Sequence, residues 1–248
     1  MAGRITAGTE RALRRHTSGE AITAAARAEG VDPSTVFRAL KRMRESGIGL
    51  PRQRVVIAGA GSLGRELMGW LHLDGRAGDV AFLDEAVPGF ACTWLGKPSA
   101  HELRDTDELF LAVASPAMRQ AMLAQLLWPA ATFVASSAIA GNCAIGAGSL
   151  LLPHCLVSAD ATLGCAVVVN TYSSIGHDVQ IGDFCTLSSH VDLTGKVQVG
   201  DRVFFGSGAR VLPGLTIGDD AVIGAGAVVV KDVPAGATIF GNPGRQVA

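Results

Sequence analysis

From residue 133 a single period governs the chain. A large apolar residue recurs at every sixth position: Phe133, Ile139, Ile145, Leu151, Val157, Leu163, Val169, Ile175, Ile181, Leu187, Leu193, Val199, Phe205, Val211, Ile217, Ile223 and Val229, with Ala235 the one weak member. Four residues after each stands Ser, Cys, Ala, Val, Leu or Ile, never a charge. A period of six fits neither a 3.6-residue helix nor strand alternation, but it suits a parallel β-helix built from hexapeptides. The fifth position of one hexad and the first of the next, such as Ser173 and Ile175, are two apart and point inward together in extended chain. Positions two to four then turn a corner.

Three hexads close a triangular coil, so the eighteen hexads from 133 to 240 predict six uninterrupted coils of 18 residues, roughly 29 Å tall. Half of the second positions are glycine (146, 164, 176, 182, 200, 206, 218, 224 and 236), which is expected to supply positive φ at the turn. Cys143, Cys155 and Cys185 fall at the small inward position and read as core residues. His177 and Asp178 fall at the third and fourth positions of their hexad, on a corner outside the core.

Composition narrows the class. The 248 residues are 48% apolar with net charge −1, but residues 1–50 hold nine Lys/Arg against five Asp/Glu, about +4. That asymmetry points to an appended module. The N-terminus lacks the apolar core of a secretory signal, and no run approaches the roughly 18 apolar residues of a membrane span, so a cytoplasmic protein is expected. Five cysteines without a C-x-x-C pair point away from a disulfide framework or zinc site.

Residues 54–85 read as strand, Gly-rich turn, helix, strand. The turn G-A-G-S-L-G (Gly59, Gly61, Gly64) follows a β-branched run and opens an amphipathic helix, and Asp84 lies twenty residues beyond Gly64. This is the context of a Rossmann-like nucleotide-binding βαβ unit: phosphates over backbone N–H groups at a helix start, with a carboxylate for a ribose hydroxyl. Gly59, Gly61, Ser62, Leu63 and Asp84 are the candidate contacts, the alternative being a purely structural turn. A third strand, "ELFLAVAS" (108–115), leads into a helix from Pro116 to about Leu127. At about 80 residues the unit is short for a complete dinucleotide domain, which favours a nucleotide-linked ligand over NAD.

Residues 20–45 read as helix, Gly-containing turn, helix, with Asp32 an N-cap and Pro33 the first helical residue. The spacing is that of a helix-turn-helix, with Ser34, Thr35, Arg38 and Arg42 able to face a groove. Two readings stay open: a docking or assembly module with a solvated basic face, and a DNA contact. "ESGIGLPRQ" is the expected linker. The domain expectation is therefore a helix-turn-helix-like module over 1–50, a sugar-nucleotide-binding domain over 51–131, a β-helix over 132–240 and a tail over 241–248.

The hexads, the Gly-rich unit before them, "NTYSSIGHDVQIGDF" (170–184) and "VPAGATIFGNPG" (233–244) together resemble the left-handed β-helix acetyltransferases. The nearest group is the sugar-nucleotide N-acetyltransferases of bacterial glycan synthesis, of the bacillosamine and perosamine type, with the related sialic acid O-acetyltransferases. The likeness covers about residues 54–243. It implies an N-terminal domain that binds a UDP-, GDP- or dTDP-linked amino sugar, a left-handed β-helix that forms a homotrimer, and acetyl-CoA as co-substrate between neighbouring subunits, with no metal. It assigns the catalytic histidine to His177, its orienting acid to Asp178, and a substrate-positioning asparagine to Asn170. It also assigns a backbone donor for the thioester oxygen to Gly195, with Gly206, Ser207 and Ala225 bordering the coenzyme and Lys231 near its phosphates. Two departures are Thr186, where some members carry another histidine, and Leu63, where relatives often have a polar or aromatic residue.

Spacing lends independent support, because 177 plus 18 is 195, which places Gly195 over His177 in the next coil. The expected chemistry is removal of an amine proton by His177 as the nitrogen attacks the thioester, with Asp178 fixing the tautomer. Alternatives are O-acetylation of a sugar or small amino acid, and a sugar-nucleotide-sensing DNA-binding regulator. His154 and His190 share a corner column two coils apart, about 10 Å, too far for joint metal ligation. His16, His72 and His101 have no partner pattern, and Trp70, Trp94 and Trp128 read as core packing.

Overall fold

The computed structural model describes residues 6–17, 22–46, 54–76, 78–101, 103–104, 107–126 and 128–247. The chain divides into two compact units, Met1–Arg54 with Leu103–Asp107, and Val55–Glu102 with Glu108–Ala248. The expected boundary at 50/51, and most of the expected linker, lie outside the described residues.

Among the described residues the first unit carries three helices, α1 (Ala7–Thr17), α2 (Ile22–Ala28) and α3 (Pro33–Ser46). Ala12 and Leu13 of α1, Ala26 of α2, and Val36 and Ala39 of α3 are buried together, with Val31 packed against them. The helix–turn–helix spacing is as expected, whereas α1 went unread. Arg54 and Asp107 form a buried bidentate pair, with Nε donating to Oδ1 at 2.9 Å.

In the second unit, β1 (Arg54–Ala58), β2 (Asp79–Leu83), β3 (Thr93–Gly96) and β4 (Glu108–Leu111) form a sheet in the order β3-β2-β1-β4. The β1–β4 and β2–β3 pairings are parallel. Helix α4 (Ser62–Leu73) follows β1, and α5 (Pro116–Leu126) follows β4. β3 had no counterpart in the sequence reading, because Thr93–Gly96 is half-exposed and shows no apolar alternation.

The remainder is a parallel β-helix of about six turns, in which every strand pairs with the next coil. Face 1 carries Leu151, Val169, Leu187, Phe205 and Ile223; face 2 carries Val157, Ile175, Leu193, Val211 and Val229; face 3 carries Ile145, Leu163, Ile181, Val199 and Ile217. All these residues join one interior core, where Cys155 and Cys185 are buried and Cys143 packs against them. Burial pushes the thiols of Cys155 and Cys185 up to about 12.

The repeat breaks register at both ends, contrary to the expectation of uninterrupted 18-residue coils. Phe133 pairs with Leu150 and Ile139 with Leu156, offsets of 17. Phe133 therefore faces outward, under the α/β portion beside Phe110, and Ile139 is 66% exposed. At the far end Val233 pairs with Ile217 and Ile239 with Ile223, offsets of 16. A corner two residues shorter puts Val233, not Ala235, at the inward position. The expected tail adds a strand, Arg245–Val247, antiparallel to Thr238–Phe240.

The corner glycines have a different cause from the one anticipated. Positive φ falls at the fourth position, where His154, Tyr172, Asp178, His190 and Lys196 all lie between 58° and 65°. Most second-position glycines are instead required by close approach, as where a Cβ on Gly146 would stand 2.3 Å from the carbonyl oxygen of Gly164 in the next coil, and of the nine only Gly236, on the shortened corner, has the expected positive φ (69°).

One side chain ties the α/β portion to the coils. Arg119, at the start of α5 and fully buried, donates to the carbonyls of Ala166 (2.8 Å), Val113, Ala114, Phe184 and Cys185 (3.0 Å). Burial pulls its guanidinium down to about 10, and no carboxylate shares its site among the described residues. The Thr186 hydroxyl also donates to Ala114, at 2.8 Å.

Candidate active site

The corners following face 2 stack as Gly176–Asp178, Thr194–Lys196 and Leu212–Gly214. His177 stands at the third position of its corner with its side chain 63% exposed, and its Nδ1–H donates to Oδ2 of Asp178 at 2.7 Å. A carboxylate can only accept, so this bond keeps the proton on Nδ1 and leaves the Nε2 lone pair free. Asp178 holds positive φ (58°), a conformation that Asp tolerates better than most residues.

Nε2 is aimed at the next coil. A Cβ built on Gly195 would lie 2.5 Å from it, so only glycine lets the imidazole occupy this place. The same corner leaves a backbone donor bare. After face 3, three third-position amides are capped by an aspartate one coil above: Cys165 by Asp183 (2.7 Å), Asp183 by Asp201 (2.8 Å) and Asp201 by Asp219 (2.9 Å). After face 2, the residue above His177 is Gly195 and the residue above Gly195 is Pro213. Neither can cap, and among the described residues the Gly195 N–H has no acceptor. A Cβ on Gly176 would stand 2.7 Å from that nitrogen, so a second glycine keeps it uncovered. A free imidazole nitrogen and an unpaired amide thus lie one coil apart on an exposed edge. That pairing can take a proton and stabilise a developing oxyanion.

The other predicted residues divide among the corners. Lys231 lies on the His177 column, exposed, at the shortened corner. Asn170, Gly206, Ser207 and Ala225 lie on the column after face 1, where the Asn170 Oδ1 accepts from the Thr171 N–H at 2.7 Å. His154, Tyr172 and His190 stack on that same column, with ring centroids 5.1 and 5.2 Å apart. The sequence reading missed this ladder because it weighed the two histidines without the tyrosine between them. Pro153, His154, Thr171 and Tyr172 form one side of a cavity of about 400 Å³, with Trp70 and Asp74 at the end of α4 forming the other. Trp70, half-buried and packed against the core of the α/β portion as expected, also lines this cavity.

In the Gly-rich turn, Gly59 has φ 106°, and a Cβ there would lie 2.6 Å from the Ala112 carbonyl. On Gly64 a Cβ would lie 2.0 Å from the Gly59 carbonyl, the close helix–strand approach such turns require. Gly61 caps α4 without a side-chain bond, so the amides of Ser62 and Leu63 open the helix toward an anion. Asp84 accepts from the Ala60 N–H at 2.6 Å and the Ala86 N–H at 3.2 Å, so its carboxylate organises the loop itself. This turn neighbours Val113, which Arg119 binds to Ala166 and Phe184 on the corners after face 3. The loop and His177 therefore belong to different edges of one prism.

No helix among the described residues is long and apolar enough to cross a membrane, and no group of three or more His, Cys, Asp or Glu there could hold a metal. His72 hydrogen-bonds Met68 O at 2.8 Å, whereas the His16 side chain lies outside the described residues.

Comparison with known proteins gives the family. The bacterial transferase hexapeptide (six repeats) model matches residues 196–231. No curated protein matches by sequence. Among solved structures, the acetyltransferase domain of PglB from Neisseria gonorrhoeae FA1090, in complex with acetyl coenzyme A, aligns with TM-score 0.74 at 25% identity, over 79% of this chain and 100% of that one. PerB from Caulobacter crescentus, in complex with CoA and GDP-perosamine, aligns with TM-score 0.70 at 30% identity, over 81% of this chain and 98% of that one. WeeI from Acinetobacter baumannii AYE aligns with TM-score 0.71 at 27% identity, over 78% and 99%. With its coils and its small parallel α/β sheet matched over nearly the whole of these relatives, the chain belongs to the hexapeptide-repeat, acetyl-CoA-dependent acetyltransferases of the perosamine and bacillosamine type.

Proposed function

We propose that the protein transfers the acetyl group of acetyl-CoA to the amino group of a nucleotide-linked amino or dideoxyamino sugar, within a homotrimer in the cytoplasm. The observation that carries this reading is the placement of His177 Nε2 against the bare amide of Gly195. The relatives add the substrate class: one solved structure is that of a GDP-perosamine N-acetyltransferase with CoA and GDP-perosamine.

In this reading His177 Nε2 takes the proton of the amine as its nitrogen bonds to the thioester carbonyl carbon. Asp178 keeps the Nδ1–H in place and faces the imidazolium that results. The Gly195 N–H donates to the carbonyl oxygen as negative charge builds there, an interaction worth about 10²- to 10³-fold in rate where such donors have been removed. The C–S bond then breaks, and His177 returns its proton to the departing sulfur. The chain needs no covalent intermediate, because a deprotonated amine is itself the nucleophile.

Gly59, Gly61, Ser62 and Leu63 would hold the pyrophosphate at the start of α4, on the loop that Asp84 braces, with Asn170 positioning the sugar. Gly206, Ser207 and Ala225 would border the coenzyme, with Lys231 near its phosphates. These groups occupy three different edges of one prism, which favours a site assembled from neighbouring copies. Release of free thiol from acetyl-CoA, measured against UDP-, GDP- and dTDP-linked amino sugars and their hydroxy counterparts, tests the reading. Turnover confined to an amino sugar supports it, and turnover on the hydroxy sugars alone would replace N- with O-acetylation.

A further inference from the structure

We propose that the first unit binds double-stranded DNA, with the N-terminal half of α3 entering the major groove. The solved relatives are matched almost whole yet account for only 78–81% of this chain. Residues 1–50 are the size of what remains, and the acetyltransferase chemistry uses none of them.

The local geometry fixes a presenting face. α2 ends in a tight turn, where Gly30 has φ 64° and the Val31 N–H returns to the Ala26 carbonyl at 2.9 Å. Asp32 caps the next helix by accepting from the Ser34 N–H at 2.8 Å, and these hydrogen bonds hold its carboxyl below the usual range. Burial of Val36 and Ala39 against α1 and α2 turns Ser34, Phe37 and Arg38 outward. Phe37 is 64% exposed, on a helix with no apolar partner for it among the described residues.

Charge complementarity selects the occupant. The sequence of α3 holds Arg38, Lys41, Arg42 and Arg44 against Glu45 alone, in a chain whose net charge is −1. The Arg38 guanidinium lies along the first turn, donating to the Ser34 carbonyl (3.2 Å), the Ser34 hydroxyl (3.3 Å) and the Thr35 hydroxyl (3.4 Å). It is thereby held at the surface with N–H groups to spare for a phosphate or a guanine edge. An exposed Phe beside it can meet a thymine methyl, an apolar contact made in the major groove. The deep, narrow major groove of A-form RNA excludes a helix, which makes DNA the fitting duplex.

The test is fluorescence anisotropy of the full-length protein with a labelled 30-base-pair DNA duplex and the corresponding RNA duplex, at 50 and 200 mM KCl. About three phosphate contacts predict a log–log salt slope near −2.7, hence about 40-fold weaker DNA binding at the higher salt. Arg38→Glu should weaken DNA binding at least tenfold and Phe37→Ser should weaken it too, while thiol release stays at the wild-type rate in both variants. Absence of DNA binding at 50 mM KCl, equal affinity for the RNA duplex, or affinity that neither substitution alters would overturn the proposal. Since thiol release is read separately, failure here leaves the acetyltransferase reading untouched.

Discussion

A methyl group at position 195 would lie 2.5 Å from Nε2 of His177 and 2.7 Å from its Cε1. Such a methyl group and the imidazole would thus fill the same space, one coil apart. Gly195→Ala must push the ring aside or displace the amide donor, so steady-state assays should show turnover reduced about 10²-fold. Because the obstructing group is an exposed side chain free to swing away, unfolding should shift by no more than about 0.5 kcal/mol.

Gly146→Ala should do the opposite. Its Cβ would meet the backbone of Gly164 at 2.3 Å, and backbone locked in a coil cannot swing away. Denaturant titration should register a loss of about 1–3 kcal/mol, the usual cost of overpacking. Activity at temperatures where the variant stays folded should remain near wild type.

Asp178→Asn isolates the carboxylate's charge from its shape. Asn tolerates the left-handed conformation seen at φ 58°, so the corner survives, but an amide no longer enforces Nδ1 protonation or faces an imidazolium. The rate should drop at least about tenfold, a fraction of the general-base contribution, with acetyl-CoA affinity by calorimetry unchanged.

Removing the buried guanidinium by Arg119→Met should cost stability without touching chemistry. Five carbonyls from the α/β portion and the coils converge on that side chain, and several would be left unpaired in the interior. The loss should be about 3 kcal/mol or more, seen as an earlier unfolding transition.

Alkaline pH should loosen the coils. Cys155 and Cys185 have thiols raised to about 12 by burial, against the ordinary 9.0 of a thiol in the unfolded chain. The folded state therefore binds more protons between these values, so stability is full below pH 9 and falls as pH rises above it. At pH 10 the loss is about 1 kcal/mol per thiol, measurable by urea unfolding at pH 8 and pH 10.

The β-helix was legible because its interior repeats. Ile175, Leu193 and Val211 are one position of one coil copied upward, and a period of 18 residues locates every neighbour, including Gly195 over His177. The ends escaped this logic. Phe133 keeps the spacing but faces the α/β sheet, and at Val233 the coil shortens by two while the apolar pattern continues almost unchanged. The reason for the corner glycines was also hidden, since close approach of Gly146 to Gly164 is a property of stacked coils, not of a turn viewed alone. In the site, His177, Asp178 and Gly195 were readable, but the uncapped Gly195 amide was not. It emerges only by contrast with the aspartates Asp183, Asp201 and Asp219, which cap the equivalent amides on another edge.

The most direct measurement is single-turnover thiol release by His177→Ala and wild type, with saturating acetyl-CoA and an amino sugar nucleotide that wild type turns over, alongside calorimetry of coenzyme binding. The account predicts a rate about 10²- to 10⁴-fold lower, with coenzyme affinity within about twofold of wild type. A His177→Ala variant that releases thiol at the wild-type rate would contradict it.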